Sequence, residues 1–251
     1  MLDVVHEQPP KGLSSPDLSV FEEARRITES RLGTTVWKRL FIAHYIYRGS
    51  VLLGLSLARL GVTPNALTYT SLALAAGAGL AIATGHFAAA ALVIITSGIC
   101  DILDGVVARA SGRISRYGAL LDSSVDRLSD GLPLLGMIVI YSRPTGGNAT
   151  AVAAQTWFAV IPAAAMLAGL AVSYVRARAE SLGASLPPLF MRRSERLVLL
   201  VLSLLFAPIS LGIDVPSPIL LFGVSVLGVL SIVGTVFALR AARIELDAVG
   251  E

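Results

Sequence analysis

Residues 101–126 read DILDGVVARASGRISRYGALLDSSVD, and this stretch decides how the rest of the chain is interpreted. Acidic residues recur in it at helical spacing: two lie three residues apart, and two more lie four residues apart after a short polar loop. The pattern predicts two helices, each with a pair of carboxylates on one face. These carboxylates belong to Asp101, Asp104, Asp122 and Asp126.

The four carboxylates lie between long apolar runs at residues 88–100 and 131–141. Each unpaired carboxylate costs about 2.5–3.5 kcal/mol at the centre of a membrane helix, and Arg109 alone cannot balance four negative charges. A pair of divalent metal ions can. Because the set offers hard oxygen ligands without His or Cys, it predicts two Mg²⁺ or Mn²⁺ ions and argues against zinc.

The composition of the chain indicates an integral membrane protein. Its 251 residues are 55% hydrophobic and only 15% charged, and the mean hydropathy is +0.75. The net charge of +3 does not indicate nucleic-acid binding, because the basic residues cluster beside apolar spans, where they contact anionic lipid or phosphate. The single cysteine, Cys100, excludes an intramolecular disulfide.

We predict an all-α integral membrane fold with six transmembrane helices preceded by an interfacial amphipathic helix at residues 34–60. Residues 1–15 are predicted to be a disordered tail, residues 16–62 a cytoplasmic or interfacial helical segment, and residues 63–243 the membrane domain. Pro162 should kink the fourth span. The predicted spans are about 66–85, 87–109, 118–141, 151–175, 196–213 and 218–239.

Lys and Arg are distributed unevenly between the two sides of the predicted spans. They concentrate in the first 65 residues, in the loops after the second and fourth spans and in the C-terminal tail, whereas the opposite side has only Arg143. The positive-inside rule therefore places both termini and the Asp-bearing helix ends in the cytoplasm, in a multi-pass protein of the cell (inner) membrane. The start of the chain lacks the apolar run of a cleavable signal peptide.

The spacing D-x2-D-G-x2-A-R-x8-G-x3-D-x3-D is filled at all eight specified positions of residues 101–126. It resembles the signature of the CDP-alcohol phosphotransferases, integral membrane enzymes of phospholipid synthesis. The resemblance implies that an acceptor hydroxyl attacks the lipid-linked phosphorus of a CDP-lipid and releases CMP. It also implies that Asp101 and Asp122 contact both metals, that Asp104 contacts one, and that Asp126 is a metal ligand and the general base.

A second segment, Thr63 to Thr68, resembles the TPN-x-x-T turn that contacts the cytidine in this family. Taken alone, the segment is equally well an ordinary first helical turn, in which Pro64 favours the helix start. Gly105 would let the nucleotide approach the backbone, and Arg109 offers a fork to phosphate. The resemblance implies that CDP-diacylglycerol is bound by Asn65, Ala66, Leu67, Thr68, Gly105, Arg109 and Ser115.

The acceptor segment comprises SYVRARAE at residues 173–180 and RSERL at residues 193–197. It resembles the corresponding pattern of the phosphatidylinositol phosphate synthases within the family, which implies inositol phosphate as acceptor. The sequence departs from that pattern where Arg176 replaces a usual lysine, and the two residues are not interchangeable at a phosphate pocket. The resemblance implies that the acceptor phosphate is held by Ser173, Arg176, Arg196 and Arg240.

Several alternatives remain open from the sequence. Phosphatidylglycerophosphate synthases share the signature and accept glycerol 3-phosphate, and another CDP-alcohol phosphatidyltransferase would also fit. A transporter or channel with an acidic cation site is the alternative outside the enzymes. The basic loop could serve only to contact lipid headgroups, and Asp130 could pair with Arg127 or another basic side chain.

Relatives dimerise, and the small residues at 163–169 predict a homodimer, although packing within one chain explains them equally well.

Overall fold

The structure is a computed structural model that describes residues 41–143, 157–187, 191–209 and 217–249, and residue 22 alone. The described residues are helical and contain no strand, which confirms the predicted all-α class. The predicted tail at 1–15, the start of the interfacial helix at 34–40, and residues 151–156 and 210–213 of two predicted spans lie outside the described residues. The helices are α1 (Phe41–Arg59), α2 (Pro64–Ala83), α3 (Phe87–Ala110), α4 (Arg116–Tyr141), α5 (Val160–Ser181), α6 (Arg193–Phe206) and α7 (Pro218–Val249).

Four of these helices, α2, α3, α5 and α7, are long and apolar enough to cross a membrane. Helix α4 has 26 residues but carries Asp122, Asp126, Arg127 and Asp130 in its first half, which lowers its hydropathy. Helix α6 has 14 residues, so its length of about 21 Å falls short of a hydrocarbon core of about 30 Å. The described chain is therefore an all-helical protein with several membrane-spanning candidates.

The first predicted span shows how local sequence sets helix bounds. Pro64 occupies the first position of α2, and the Ala66 N–H donates a hydrogen bond of 3.3 Å to Thr63 Oγ1 as an N-cap contact. After the helix, Gly85 has a φ of 84°, a conformation that glycine adopts without steric cost. The next N–H, of His86, donates to the Ala81 carbonyl at 2.8 Å. The break between the first two predicted spans is thus a glycine-terminated helix end.

Helix α5 ends later than the predicted fourth span. It begins at Val160 and ends at Ser181 rather than near residue 175, because the helix continues through the polar residues after Tyr174. Pro162 consequently lies in the first turn of α5, where its missing N–H removes no hydrogen bond within this helix. Trp157 and Phe158 before α5 are also helical, with a turn at Ala159, and the kink at Pro162 stays a prediction.

The chain divides into two compact units. The first unit contains residues 1–69 and 99–122. Its described core joins Leu67 of α2 to Leu103 and Val107 of α3. Gly54 of α1 approaches Val106 of α3 so closely that a Cβ at the glycine would lie 2.6 Å from a Val106 methyl carbon. The first unit is therefore held by close packing of α1, α2 and α3.

The second unit contains residues 70–98 and 123–251. Helices α5 and α6 pack against α7 in this unit, and its main core includes the fully buried Ile82, Met137, Leu204 and Leu220. The backbones of α2 and α4 also approach closely: a Cβ at Gly136 would lie 2.1 Å from the carbonyl oxygen of Gly79. Small residues at this crossing allow two membrane helices to pack backbone to backbone.

We expect Gly136→Ala to destabilise the protein by about 1–3 kcal/mol, because the added methyl group overlaps a backbone atom that cannot move independently. The matched control is Gly77→Ala on α2, where an added Cβ meets nothing within 4 Å. Thermal unfolding of both variants in the same detergent measures the difference. Equal midpoints for the two variants would contradict the observed helix crossing.

Candidate active site

Three of the predicted metal ligands lie in the first unit. Asp101 and Asp104 are on α3, and Asp122 is on α4. Asp101 and Asp122 each present a carboxylate oxygen, and these oxygens lie within 4.8 Å of one another. Asp126 follows one turn after Asp122 on α4, as the four-residue spacing requires. The structure thus brings together carboxylates that are 21 residues apart in the chain.

Asp104 is the most deeply buried of these carboxylates, with 6% of its surface exposed. The Thr68 hydroxyl donates a hydrogen bond of 2.6 Å to Asp104 Oδ2, and Thr68 is itself only 4% exposed. Thr68 was predicted to contact the nucleotide and Asp104 to contact a metal. In the structure, therefore, the Thr68 hydroxyl orients the carboxylate of Asp104.

Gly105 and Arg109 of the signature are neighbours on one face of α3. A Cβ at Gly105 would lie 3.4 Å from Arg109 Nη1, so the guanidinium group lies directly against the glycine. Both residues are partly buried. The glycine in the signature leaves room for the arginine side chain to extend along α3.

The other predicted CDP-lipid residues differ in exposure. Asn65 and Ala66 are exposed at the start of α2, whereas Leu67 is buried in the core of the first unit. Ser115 lies just before α4, and its Oγ accepts a hydrogen bond of 2.9 Å from the Gly118 N–H. This contact is an N-cap, so Ser115 has a structural role at the start of the Asp-bearing helix. The side chains of Leu67 and Ser115 thus make packing and capping contacts within the first unit.

The second unit contains a network of opposite charges around Asp130 of α4. Arg193 contacts Asp126 Oδ1 through Nη1 at 2.8 Å and Asp130 Oδ1 through Nε at 3.3 Å. Arg196 donates to the other Asp130 oxygen, Oδ2, at 2.5 Å. These side chains are largely withdrawn from solvent, with exposures of 29% for Asp126, 24% for Asp130, 22% for Arg193 and 9% for Arg196. Their attraction is therefore screened less than that of a surface pair.

The structure brings together two of the four predicted acceptor residues. Arg196 Nη2 donates to Ser173 Oγ at 3.3 Å, and its Nη1 donates to the Met191 carbonyl at 3.0 Å. By contrast, Arg176 pairs with Glu180 at 3.0 Å. Arg240 is exposed.

A cavity of about 40 Å³ adjoins this charged network within the second unit. Its polar lining comes from Asp130, Arg193 and Arg196, while α2, α3, α5, α6 and α7 contribute mostly apolar residues. Ser129 also lines it, and the buried Ser129 Oγ has no hydrogen-bond partner among the described residues. The cavity is large enough for an ordered water molecule that would satisfy this hydroxyl.

Two residues of this network, Asp130 and Arg193, are absent from the set predicted from the sequence. Asp130 continues the four-residue repeat of Asp122 and Asp126 along α4, which was the available signal. Its partners lie 63 and 66 residues away, so the contacts depend on tertiary packing. Arg127, the sequence-local candidate for pairing with Asp130, donates instead to the carbonyl and hydroxyl of Ser123.

The carboxylate set has the donor chemistry of a site for hard divalent cations. Asp101, Asp104 and Asp122 offer only oxygen ligands, and Asp126 adds a carboxylate one turn further along α4. Such ligands suit Mg²⁺ or Mn²⁺. The residues present therefore fit the predicted metal ions.

These features define a helical membrane protein with an acidic site of the divalent-metal type at the ends of two of its helices. The family model for CDP-alcohol phosphatidyltransferase matches residues 61–243. The chain belongs to the CDP-alcohol phosphatidyltransferase family, and it is an enzyme. This finding confirms the resemblance seen in the signature and removes the transporter alternative.

Relatives within the family are similar over most of the chain. The chain is 34% identical over 200 residues to a phosphatidylinositol phosphate synthase of Streptomyces avermitilis, covering 76% of this chain and 78% of that protein. It is 35% identical over 143 residues to an archaetidylinositol phosphate synthase of Methanothermobacter thermautotrophicus, covering 57% of this chain and 66% of that protein.

Solved structures show the same similarity. The crystal structure of the phosphatidylinositol phosphate synthase of Mycobacterium tuberculosis with CDP-DAG bound aligns with a TM-score of 0.66 at 26% identity, covering 77% of this chain and 92% of that one. A second structure of that enzyme, in complex with manganese and citrate, also has a TM-score of 0.66. These relatives support the predicted fold and the predicted class of reaction.

Proposed function

We propose that this protein transfers the phosphatidyl group of CDP-diacylglycerol to a hydroxyl of inositol phosphate and releases CMP. The observation that carries the proposal is similarity to phosphatidylinositol phosphate synthases across the membrane domain, with all eight signature positions filled. The contact between Ser173 and Arg196 supports the acceptor assignment, because it joins two residues predicted to bind the acceptor phosphate.

The signature carboxylates Asp101, Asp104, Asp122 and Asp126 would hold two Mg²⁺ or Mn²⁺ ions. When bound, such ions neutralise the pyrophosphate and stabilise the attacking and leaving oxygens. Asp126 accepts the proton of the acceptor hydroxyl as that oxygen attacks the lipid-linked phosphorus. The bond from this phosphorus to the CMP oxygen breaks, and CMP leaves with the electron pair.

The substrate-binding residues are proposed on the same basis. Asn65, Ala66, Leu67 and Thr68, with Gly105, Arg109 and Ser115, form the CDP-lipid site. Ser173, Arg176, Arg196 and Arg240 form the acceptor-phosphate site, in which guanidinium groups offer charge-assisted hydrogen bonds. Arg176 would have to exchange Glu180 for the ligand, since the two side chains pair in the structure.

The proposed membrane topology has six spans: α2, α3, α5 and α7 are four of them, α4 and α6 lie in the other two, and residues 16–62 form a preceding interfacial segment. Helix α1, within that segment, is not among the spanning candidates of the described chain. The distribution of Lys and Arg supports cytoplasmic termini and a cytoplasmic active site in the cell membrane, where cytidine nucleotides are available. Homodimerisation through the small residues of α5 remains a prediction.

The proposed function is tested with the purified chain in nanodiscs supplied with CDP-diacylglycerol, inositol 1-phosphate and Mg²⁺. We expect CMP and an inositol-phosphate-containing phospholipid in equal amounts, the lipid being identified by mass spectrometry. Omitting the acceptor or chelating the metal should abolish both products. CMP release at an unchanged rate without acceptor would identify a hydrolase and contradict the proposal.

We expect Thr68→Val to raise the Mg²⁺ concentration needed for half-maximal activity by about tenfold, since partners of metal ligands typically contribute 10–100-fold. The substitution keeps the shape of the side chain but removes the hydroxyl that donates to Asp104. Thr68→Ser, the matched control, keeps this hydroxyl and should remain close to wild type. Mg²⁺ titrations of all three proteins at saturating CDP-diacylglycerol provide the measurement. An unchanged Mg²⁺ requirement in Thr68→Val would contradict this role of the hydroxyl.

A further inference from the structure

Asp130 of α4 shares one arginine with Asp126, the proposed general base. Arg193 reaches Asp126 with one guanidinium nitrogen at 2.8 Å and Asp130 with another at 3.3 Å. The two carboxylates lie one turn apart on the same helix, so a single guanidinium fork can bridge them. Arg193 therefore pairs with one carboxylate of the signature, that of Asp126, and with one outside the signature, that of Asp130.

The charges of this network balance only because Asp130 is present. Two carboxylates, of Asp126 and Asp130, face two guanidinium groups, of Arg193 and Arg196. If the negative charge of Asp130 were removed, Asp126 would be the carboxylate left in this network for both arginines. In these partly buried surroundings Arg193 would then pair more fully with Asp126, and a cation approaching Asp126 would have to displace it.

We propose that Asp130 is a positioning residue that acts through Arg193: by holding this arginine, it keeps the Asp126 carboxylate available to a divalent cation. The inference rests on the proposed function, because it takes Asp126 as a metal ligand. Asp130 itself lies outside the eight signature positions and has both carboxylate oxygens engaged by arginines.

The contacts of Arg196 distinguish the positioning role of Asp130 from a role in stabilising the fold. Arg196 is also held by the Met191 carbonyl at 3.0 Å and by Ser173 Oγ at 3.3 Å, so it keeps two partners when Asp130 is changed. Arg193, by contrast, is joined by Asp130 to the side chain of the proposed base. Loss of Asp130 should therefore affect Asp126 through Arg193, and removing Arg193 should reverse that effect.

The test measures Mn²⁺ binding to the full chain in nanodiscs without substrates, using the electron paramagnetic resonance signal of free Mn²⁺. We expect Asp130→Asn to weaken binding by about tenfold, the lower end of the range for residues that act on metal ligands. The double variant Asp130→Asn, Arg193→Gln should bind close to wild type, because the competing cation is gone. Asp130→Glu, which retains the carboxylate, should stay within about threefold of wild type.

Two further proteins complete the experiment. Asp247→Asn is the matched control, since it removes one charge from an exposed pair with Arg243 on α7 and should bind Mn²⁺ as wild type does. Arg193→Gln alone should bind Mn²⁺ at least as tightly as wild type, and it decides the question if Asp130→Asn does not fold.

The inference is overturned if Asp130→Asn binds Mn²⁺ normally, if the double variant binds as weakly as the single variant, or if Arg193→Gln alone weakens binding. Absence of Mn²⁺ binding by the wild type is a different result. It would contradict the proposed metal site itself, and the role of Asp130 would fall with it.

Discussion

Asp122→Asn should lower the rate of CMP release by about a hundredfold or more, while the protein still inserts and folds. Asp122 presents a carboxylate oxygen within 4.8 Å of one from Asp101, and the amide removes the negative charge that a divalent cation requires. The same loss is expected for Asp101→Asn and Asp104→Asn. Asp126→Asn should differ in kind, retaining CDP-diacylglycerol binding better than turnover, because its proposed role includes proton removal.

The measurement is CMP release over a range of Mg²⁺ concentrations, with folding checked by gel filtration and thermal unfolding. Asp247→Asn serves as the control here too, since this exposed carboxylate pairs with Arg243 near the end of α7. Near-normal turnover by Asp122→Asn at low Mg²⁺ would refute the assignment of the signature carboxylates to metal ions.

Arg196→Gln should raise the KM for inositol phosphate by about ten- to a hundredfold, because a charge-assisted contact contributes about 1.5–3 kcal/mol. The KM for CDP-diacylglycerol should change much less. Arg196 is buried and contacts Ser173, another of the proposed acceptor residues. Arg196→Lys should be milder, since lysine retains the charge but loses the planar fork.

A stability effect must be separated from the binding effect, because Arg196 also donates to Asp130 and to the Met191 carbonyl. Thermal unfolding of each variant provides that separation. Arg178→Gln is the matched control: Arg178 is exposed on α5 and donates to Ser181 at 3.4 Å. If Arg196→Gln affects phosphorylated and unphosphorylated acceptors equally, the arginine supports the fold and does not bind phosphate.

The local features of the fold were predictable from sequence because they depend on neighbouring residues. Thr63 and Pro64 indicate the start of α2, and Gly85 adopts the positive φ after its end. The carboxylate repeat predicted the Asp-bearing faces of α3 and α4. The start of α5 was less predictable, because apolar residues precede Val160 and hydropathy alone does not mark a helix start there.

The tertiary contacts of the site were not predictable in the same way. The hydrogen bond from Thr68 to Asp104 joins residues 36 positions apart, and no local pattern specifies it. The sequence predicted a basic acceptor segment, but periodicity could not tell which of its arginines would be buried. Arg196 lies in the charged network, whereas Arg240 is exposed and Arg176 pairs with Glu180. Charge counts identify a basic segment, and packing decides the role of each side chain.

The most direct test of the proposed function is acceptor choice by the wild-type enzyme. Purified protein with CDP-diacylglycerol and Mg²⁺ is offered inositol phosphate, inositol and glycerol 3-phosphate, and kcat/KM is determined for each from CMP release. We predict that inositol phosphate is preferred, and that inositol is poorer by about tenfold or more because the arginines then face no anion. Preference for glycerol 3-phosphate would contradict the proposal and identify the protein as a phosphatidylglycerophosphate synthase.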